Sequence, residues 1–240
     1  MRLFKYTVLA LAIGFSSCNN DDEIPAMMTT SIQIENTLNG KDLVLNSSTY
    51  ALPSGETFTP KKFKYYISNV ALINSKTGIE YLEPDSYHLI NSETNIGIDL
   101  GMIPSSNYDQ IRFSIGVDAE ANAKTDQTGD LDPNSDMAWN WNSGYKFVLL
   151  EGEFVHAKTQ ERTGLVLHIG RNQNYKTITQ PISGIQAGKP TIITLTTKVD
   201  ELFLSPNALK VSELPSTTIM GGELADRIGE NYAEGFVSIK

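Results

Sequence analysis

Phe63-Lys64-Tyr65-Tyr66-Ile67-Ser68-Asn69-Val70-Ala71-Leu72-Ile73 is the stretch whose reading decides the fold. Aromatic and β-branched side chains dominate it, and apolar and polar positions largely alternate, which is the pattern of an extended strand laid on a core. The alternation slips at Tyr65-Tyr66, where two large rings stand side by side, and the slip reads as a bulge.

Working outward, the same period of two recurs. Ser31-Ile32-Gln33-Ile34-Glu35 opens the domain, and further strands are expected at Ile79–Leu82, Ser86–Asn91, Ile96–Leu100, Tyr108–Val117, Tyr145–His156, Leu165–Ile169 and Thr191–Val199. Ser75-Lys76-Thr77-Gly78, Glu83-Pro84-Asp85, Pro104-Ser105-Ser106-Asn107 and Ala187-Gly188-Lys189-Pro190 supply the turns between them. Only Glu223–Ala233 has helical spacing, with Leu224, Ile228 and Tyr232 about one turn apart. Many short strands with scarcely a helix predict an all-β chain, an antiparallel β-sandwich with one long loop and a short C-terminal helix.

The N-terminus is of another kind. Arg2 and Lys5 precede the apolar run Val8–Phe15, which is too short for a permanent span, and Ser16-Ser17-Cys18 follows as a lipobox. Residues 1–17 are therefore expected to be a lipoprotein signal peptide. Residues 18–30 would form an acylated Cys18 with a flexible acidic tether, and residues 31–240 one folded domain. An anchored envelope protein follows, an outer-membrane lipoprotein facing the periplasm or the surface. Loss of Arg2 and Lys5 takes the 19 basic residues to 17 against 28 acidic ones, and the net charge from -9 to -11. Such a surface repels phosphate backbones, so nucleic acid is not an expected partner. Cys18 is the only cysteine, so its acylation leaves the domain with neither disulfide nor thiolate metal site.

The segment from Asp118 to Gly144 interrupts the strand pattern. It is acidic and polar until both tryptophans of the chain, Trp139 and Trp141, appear near its end. Long loops between well-formed strands often carry function. Asp130, Asp132, Asn134 and Asp136 alternate as the donors of a calcium loop do, but Ser135 and Trp141 stand where an EF-hand needs glycine and a bidentate glutamate. A looser calcium site is the alternative there. The tryptophans suit either a core plug or a stacking platform. Three histidines complete the candidates: His88 and His168 on strands, where each is either a satisfied structural residue or a ligand, and His156 in a polar, exposed setting. No G-x-S-x-G or other nucleophile setting occurs, and nothing points to an enzyme.

Several of these stretches together resemble the MbnP-like copper-binding proteins, a family associated with methanobactin operons. They are Tyr65–Leu72, Ser86–Ile90, Ile111–Asp118, Gly129–Pro133, Met137–Phe147, Glu151-Gly152 and His168-Ile169-Gly170, in order across roughly residues 30 to 200. The Met-x-Trp-x-Trp-x-x-Gly-Tyr element is the specific part. Two positions where the family pattern has glycine carry Asp136 and Arg171 here. The resemblance implies that a partner di-haem protein of the peroxidase type oxidises Trp139 or Trp141 to kynurenine. Its aryl amine would bind copper with His168 as the first candidate ligand and His88 as the second. A histidine that related proteins carry two residues after the modified tryptophan would fall on Trp141. Copper binding without catalysis is therefore the leading expectation. The alternative is a cell-surface sandwich that binds carbohydrate or protein, stiffened by calcium.

Overall fold

The computed structural model describes residues 26–94, 97–124, 126–139 and 144–240. The expected leader, Cys18 and the acidic run after it lie outside the described residues, and so does Trp141. Among the described residues fourteen strands form: β1 (Met27–Leu38), β2 (Lys41–Asp42), β3 (Tyr50–Ala51), β4 (Thr57–Asn74), β5 (Ile79–Leu82), β6 (Tyr87–Asn91), β7 (Gly97–Pro104), β8 (Gln110–Ile115), β9 (Lys146–Val155), β10 (Arg162–Gly170), β11 (Lys176–Pro181), β12 (Thr191–Lys198), β13 (Thr218–Ile219) and β14 (Val237–Ile239). The helices are α1 (Ala119–Asn122) and α2 (Glu223–Glu234). A five-stranded sheet runs β14-β12-β1-β2 with β7 also on β1, and a nine-stranded sheet is built around β4. The all-β sandwich expected from the alternation is the fold, with parallel pairing, among the described residues, only where β1 meets β12 and β10 meets β13.

The strand that opened the reading is longer than its sequence pattern, 18 residues from Thr57, and it organises the larger sheet. Lys64 and Tyr65 pair with β6 on one edge and β9 on the other, while Ile67 and Ser68 pair with β6 and β8. β8 and β9 therefore lie end to end along one edge of β4, and the chain between them, the long loop, leaves from that junction.

The expected bulge at Tyr65-Tyr66 is not where the ladder shifts; the shifts fall between Pro60 and Lys62 and between Ser68 and Ala71. The physical reason for two adjacent rings is that both faces of the sheet are covered. Tyr65 packs inward with Phe63, Ile67, Phe113, Leu150 and Leu167 in the core between the sheets, whereas Tyr66 points outward into a second, smaller core. The domain also starts earlier than expected. β1 begins at Met27, because Met28 and Thr30 are buried and continue the inward face of Ile32 and Ile34. Residues 27–30, expected in the tether, belong to the sheet. α2 closes one flank with Ala225, Ile228 and Tyr232 inward, within a residue of its expected end.

Candidate functional site

The long loop folds back over the outer face of the nine-stranded sheet. Leu131, Met137 and Tyr145 from the loop and its end pack there on Tyr66, Phe147 and Leu149 of the strands. Two phenols pin it: Tyr66 donates to the main-chain oxygen of Asp130 at 2.9 Å, and Tyr145 to that of Leu131 at 2.6 Å. Asp118 caps α1 by accepting the amides of Glu120 and Ala121.

The acids expected as calcium donors take separate partners. Asp130 accepts the amide of Leu89 at 2.8 Å, and Asp132 accepts the amide and side chain of Asn134. Asp136 meets three lysines: Lys62 at 3.4 Å, Lys146 at 3.8 Å and Lys64 at 3.9 Å. Burial pushes the Asp136 carboxyl up, but Lys146, Lys62 and Lys64 together outweigh it and hold it below its ordinary value. Lys64 and Lys146 also reach the main-chain oxygens of Ser135 and Asp136, at 3.2 and 2.8 Å. Among the described residues, no three of His, Cys, Asp and Glu gather as metal ligands.

The lysine-bound turn delivers Trp139. Its amide bonds to the oxygen of Gly144 at 2.9 Å beside an isolated bridge between Ala138 and Tyr145. The indole then lies edge-on to the His168 ring, centroids 6.0 Å apart and planes at 76°. Its Nε1–H is sealed from solvent and has no hydrogen-bond partner among the described residues. An unpartnered buried donor costs about 1–3 kcal/mol. Thr30 Oγ1, Ser135 Oγ and Asn174 Oδ1 are the other buried side-chain polar atoms without a partner among the described residues, and of these four only the indole N–H belongs to an expected ligand. Gly170 makes the approach possible: a Cβ there would sit 2.4 Å from the Tyr145 oxygen and 2.9 Å from Trp139 Nε1. The His-Ile-Gly element thus places the histidine on the sheet and the gap for the indole two residues on.

His168 Nε2 is 2.9 Å from Glu151 Oε1, and Glu151 also faces Lys62 at 3.7 Å. Burial, with Lys146 adding to it against Glu151, holds the imidazole below its ordinary value. His168 is therefore neutral at neutral pH, the form that offers a lone pair.

The other two histidines are elsewhere. His88 pairs with Ile67, whose face is the main core, while His168 pairs with Leu149, whose face is the outer core. Paired residues share a face, so the two histidines lie on opposite faces of one sheet, three strands or roughly 14 Å apart. His88 instead bonds Glu83 at 2.8 Å. His156, expected to be exposed, is half-buried and accepts the amides of Lys158 and Thr159 in its own turn. Of the expected ligands described, only His168 and Trp139 meet. Glu151 was not among the candidate ligands, although it stands at alternate spacing with Leu149 on one strand.

Asp136 and Arg171 bracket this site and share a feature. Both have positive φ, 69° and 73°, a backbone that glycine adopts without strain. The glycines of the family pattern at these positions are thus backbone requirements, met here by charged residues.

A model of the MbnP family matches residues 27–220. No curated protein matches the chain. Among solved structures, MbnP from Methylosinus trichosporium superposes with a TM-score of 0.58, covering 81% of this chain and 83% of that one at 15% identity, a likeness of fold.

Proposed function

Because the chain belongs to the MbnP family, we propose that it is an exported copper-handling protein whose site is made by oxidising Trp139. The observation that carries this reading is the solvent-sealed, unpartnered indole N–H packed edge-on against His168. Intact indole is a donor only and contributes no lone pair to a metal. Cleavage of its C2–C3 bond with gain of two oxygen atoms from a peroxide co-substrate of the partner oxidase, then hydrolysis of the N-formyl group by water with release of formate, leaves an aryl amine. That amine and a histidine suit copper, which takes nitrogen ligands readily. The residues fit such a group: His168 and the amine from Trp139 would hold it, and Gly170 leaves the space. His88 is not part of this pair.

The oxidation is assigned to a partner, a di-haem protein of the peroxidase type, as the resemblance to the family implies. The chain itself is a binding protein and not the catalyst. Its place is the cell envelope, with Cys18 as the lipid anchor. Replacing Cys18 by alanine would then move the protein from the membrane fraction to the soluble one.

Co-production with the oxidase, followed by peptide mass mapping, tests the central step. The expected product is kynurenine at Trp139, with copper retained through dialysis and lost in His168→Ala. Unmodified Trp139 together with no retained copper would overturn the proposal. Modification confined to Trp141 would overturn the assignment of Trp139.

A further inference from the structure

We infer that Glu151 is a positioning residue that sets the tautomer of His168, so that Nδ1 is the nitrogen left for a metal. Val166 pairs with Glu151 and His168 with Leu149, which puts Glu151 and His168 diagonally across the β9–β10 ladder on one face. Glu151 Oε1 lies 2.9 Å from His168 Nε2. Its other oxygen faces the ammonium of Lys62 at 3.7 Å, directly across the ladder from β4. Lys62 in turn reaches Asp136, on the turn that carries the tryptophan.

A carboxylate accepts hydrogen bonds and donates none. A neutral imidazole carries one N–H, so the nitrogen facing Glu151 is the protonated one and the lone pair belongs to Nδ1. No hydrogen bond among the described residues engages Nδ1. A metal-binding histidine whose other nitrogen is held by a carboxylate is fixed in ring orientation and made more basic. Glu151 does both for His168, and Lys62 keeps Glu151 aimed. The inference deepens the proposed function and rests on it for the identity of the metal, but not for the tautomer.

Long-range proton–nitrogen correlation NMR on the ¹⁵N-labelled, copper-free protein reads the tautomer directly. In the unsubstituted protein, Nε2 is expected protonated and Nδ1 bare; the reverse pattern overturns the inference. Glu151→Leu is expected to release the preference, giving a mixture of the two tautomers, and an unchanged Nε2–H pattern would overturn it as well. Glu151→Gln keeps the shape should the leucine variant misfold. Its amide both accepts and donates, so the Nε2–H signature is expected to weaken, and full retention overturns the inference. Cu(I) is then added to protein carrying oxidised Trp139. A shift confined to Nδ1 supports the assignment, and a shift at Nε2 overturns it. Absence of any copper-induced shift refutes the proposed function while the apo tautomer result still decides the role of Glu151.

Discussion

Arg171 has φ 73° and ψ 148°, a region that glycine adopts freely and other residues enter only under constraint. Its guanidinium lies over Gly221, where an added Cβ would be 3.0 Å away, so packing at the side chain holds the strained backbone. Arg171→Gly is expected to stabilise the protein by about 1 kcal/mol, a rise of roughly 2–4 °C in Tm, read by calorimetry. A fall in Tm would mean that the arginine contacts outweigh the strain. Gly170→Ala, one residue earlier, should do the opposite. Its methyl meets a main-chain oxygen that cannot move aside, so the ladder shifts and the Trp139 emission moves with it. Unchanged emission would refute the tight fit at Gly170. His168 adds a pH dependence. Its imidazole is held below the ordinary value of 6.5 by burial, so the unfolded chain takes up a proton before the folded one. Stability from this group is present above about pH 6.5 and is lost as pH falls through the lower, folded value. Denaturant melts at pH 7 and 5.5 should show a loss that His168→Gln lacks. Equal losses in both proteins would contradict the assignment.

At the scale of elements, the loop over the outer face is held by Lys64 and Lys146, each mostly buried and each bonded to a main-chain oxygen of the Ser135-Asp136 turn. Hydrogen bonds from charged groups contribute about 1.5–3 kcal/mol. Lys146→Met is expected to loosen the segment from Gly129 to Trp139 and expose it to limited proteolysis; cleavage at the unsubstituted rate would show that the phenol contacts alone hold the loop. Here the limits of sequence reading are visible. Strands with one buried face were legible from alternation, and β5 was located to the residue. The strand around Tyr66 was legible too, but its phase was misread as a bulge, because a sheet covered on both faces gives adjacent apolar residues and alternation then looks broken. Asp136 and Arg171 were visible as departures from a glycine pattern. That both are conformational demands became clear only from their backbone angles.

The whole molecule has one large core between the sheets and a small one outside, and the two should differ in stability. Amides of β4 that face the central core, such as Tyr65 and Ile67, are expected to exchange hydrogen only through global unfolding, and those of residues 119–139 through local opening. Uniform exchange would imply a single cooperative unit. Sequence spacing could bring Trp139 within reach of His168 only through resemblance, since the partners are joined by folding a long loop back across three strands. It likewise could not separate His88 from His168, because face and strand order are properties of the assembled sheet.

The placement of β1 has a consequence for how the molecule is presented. β1, which receives the N-terminal extension, belongs to the smaller sheet, whereas Trp139 and His168 lie on the far side of the larger one. The start of β1 and the Trp139–His168 pair are thus on opposite sides of the sandwich, separated by its full thickness. On the proposed reading of Cys18 as the anchor, the proposed oxidase would approach the Trp139–His168 side without contending for space with the membrane.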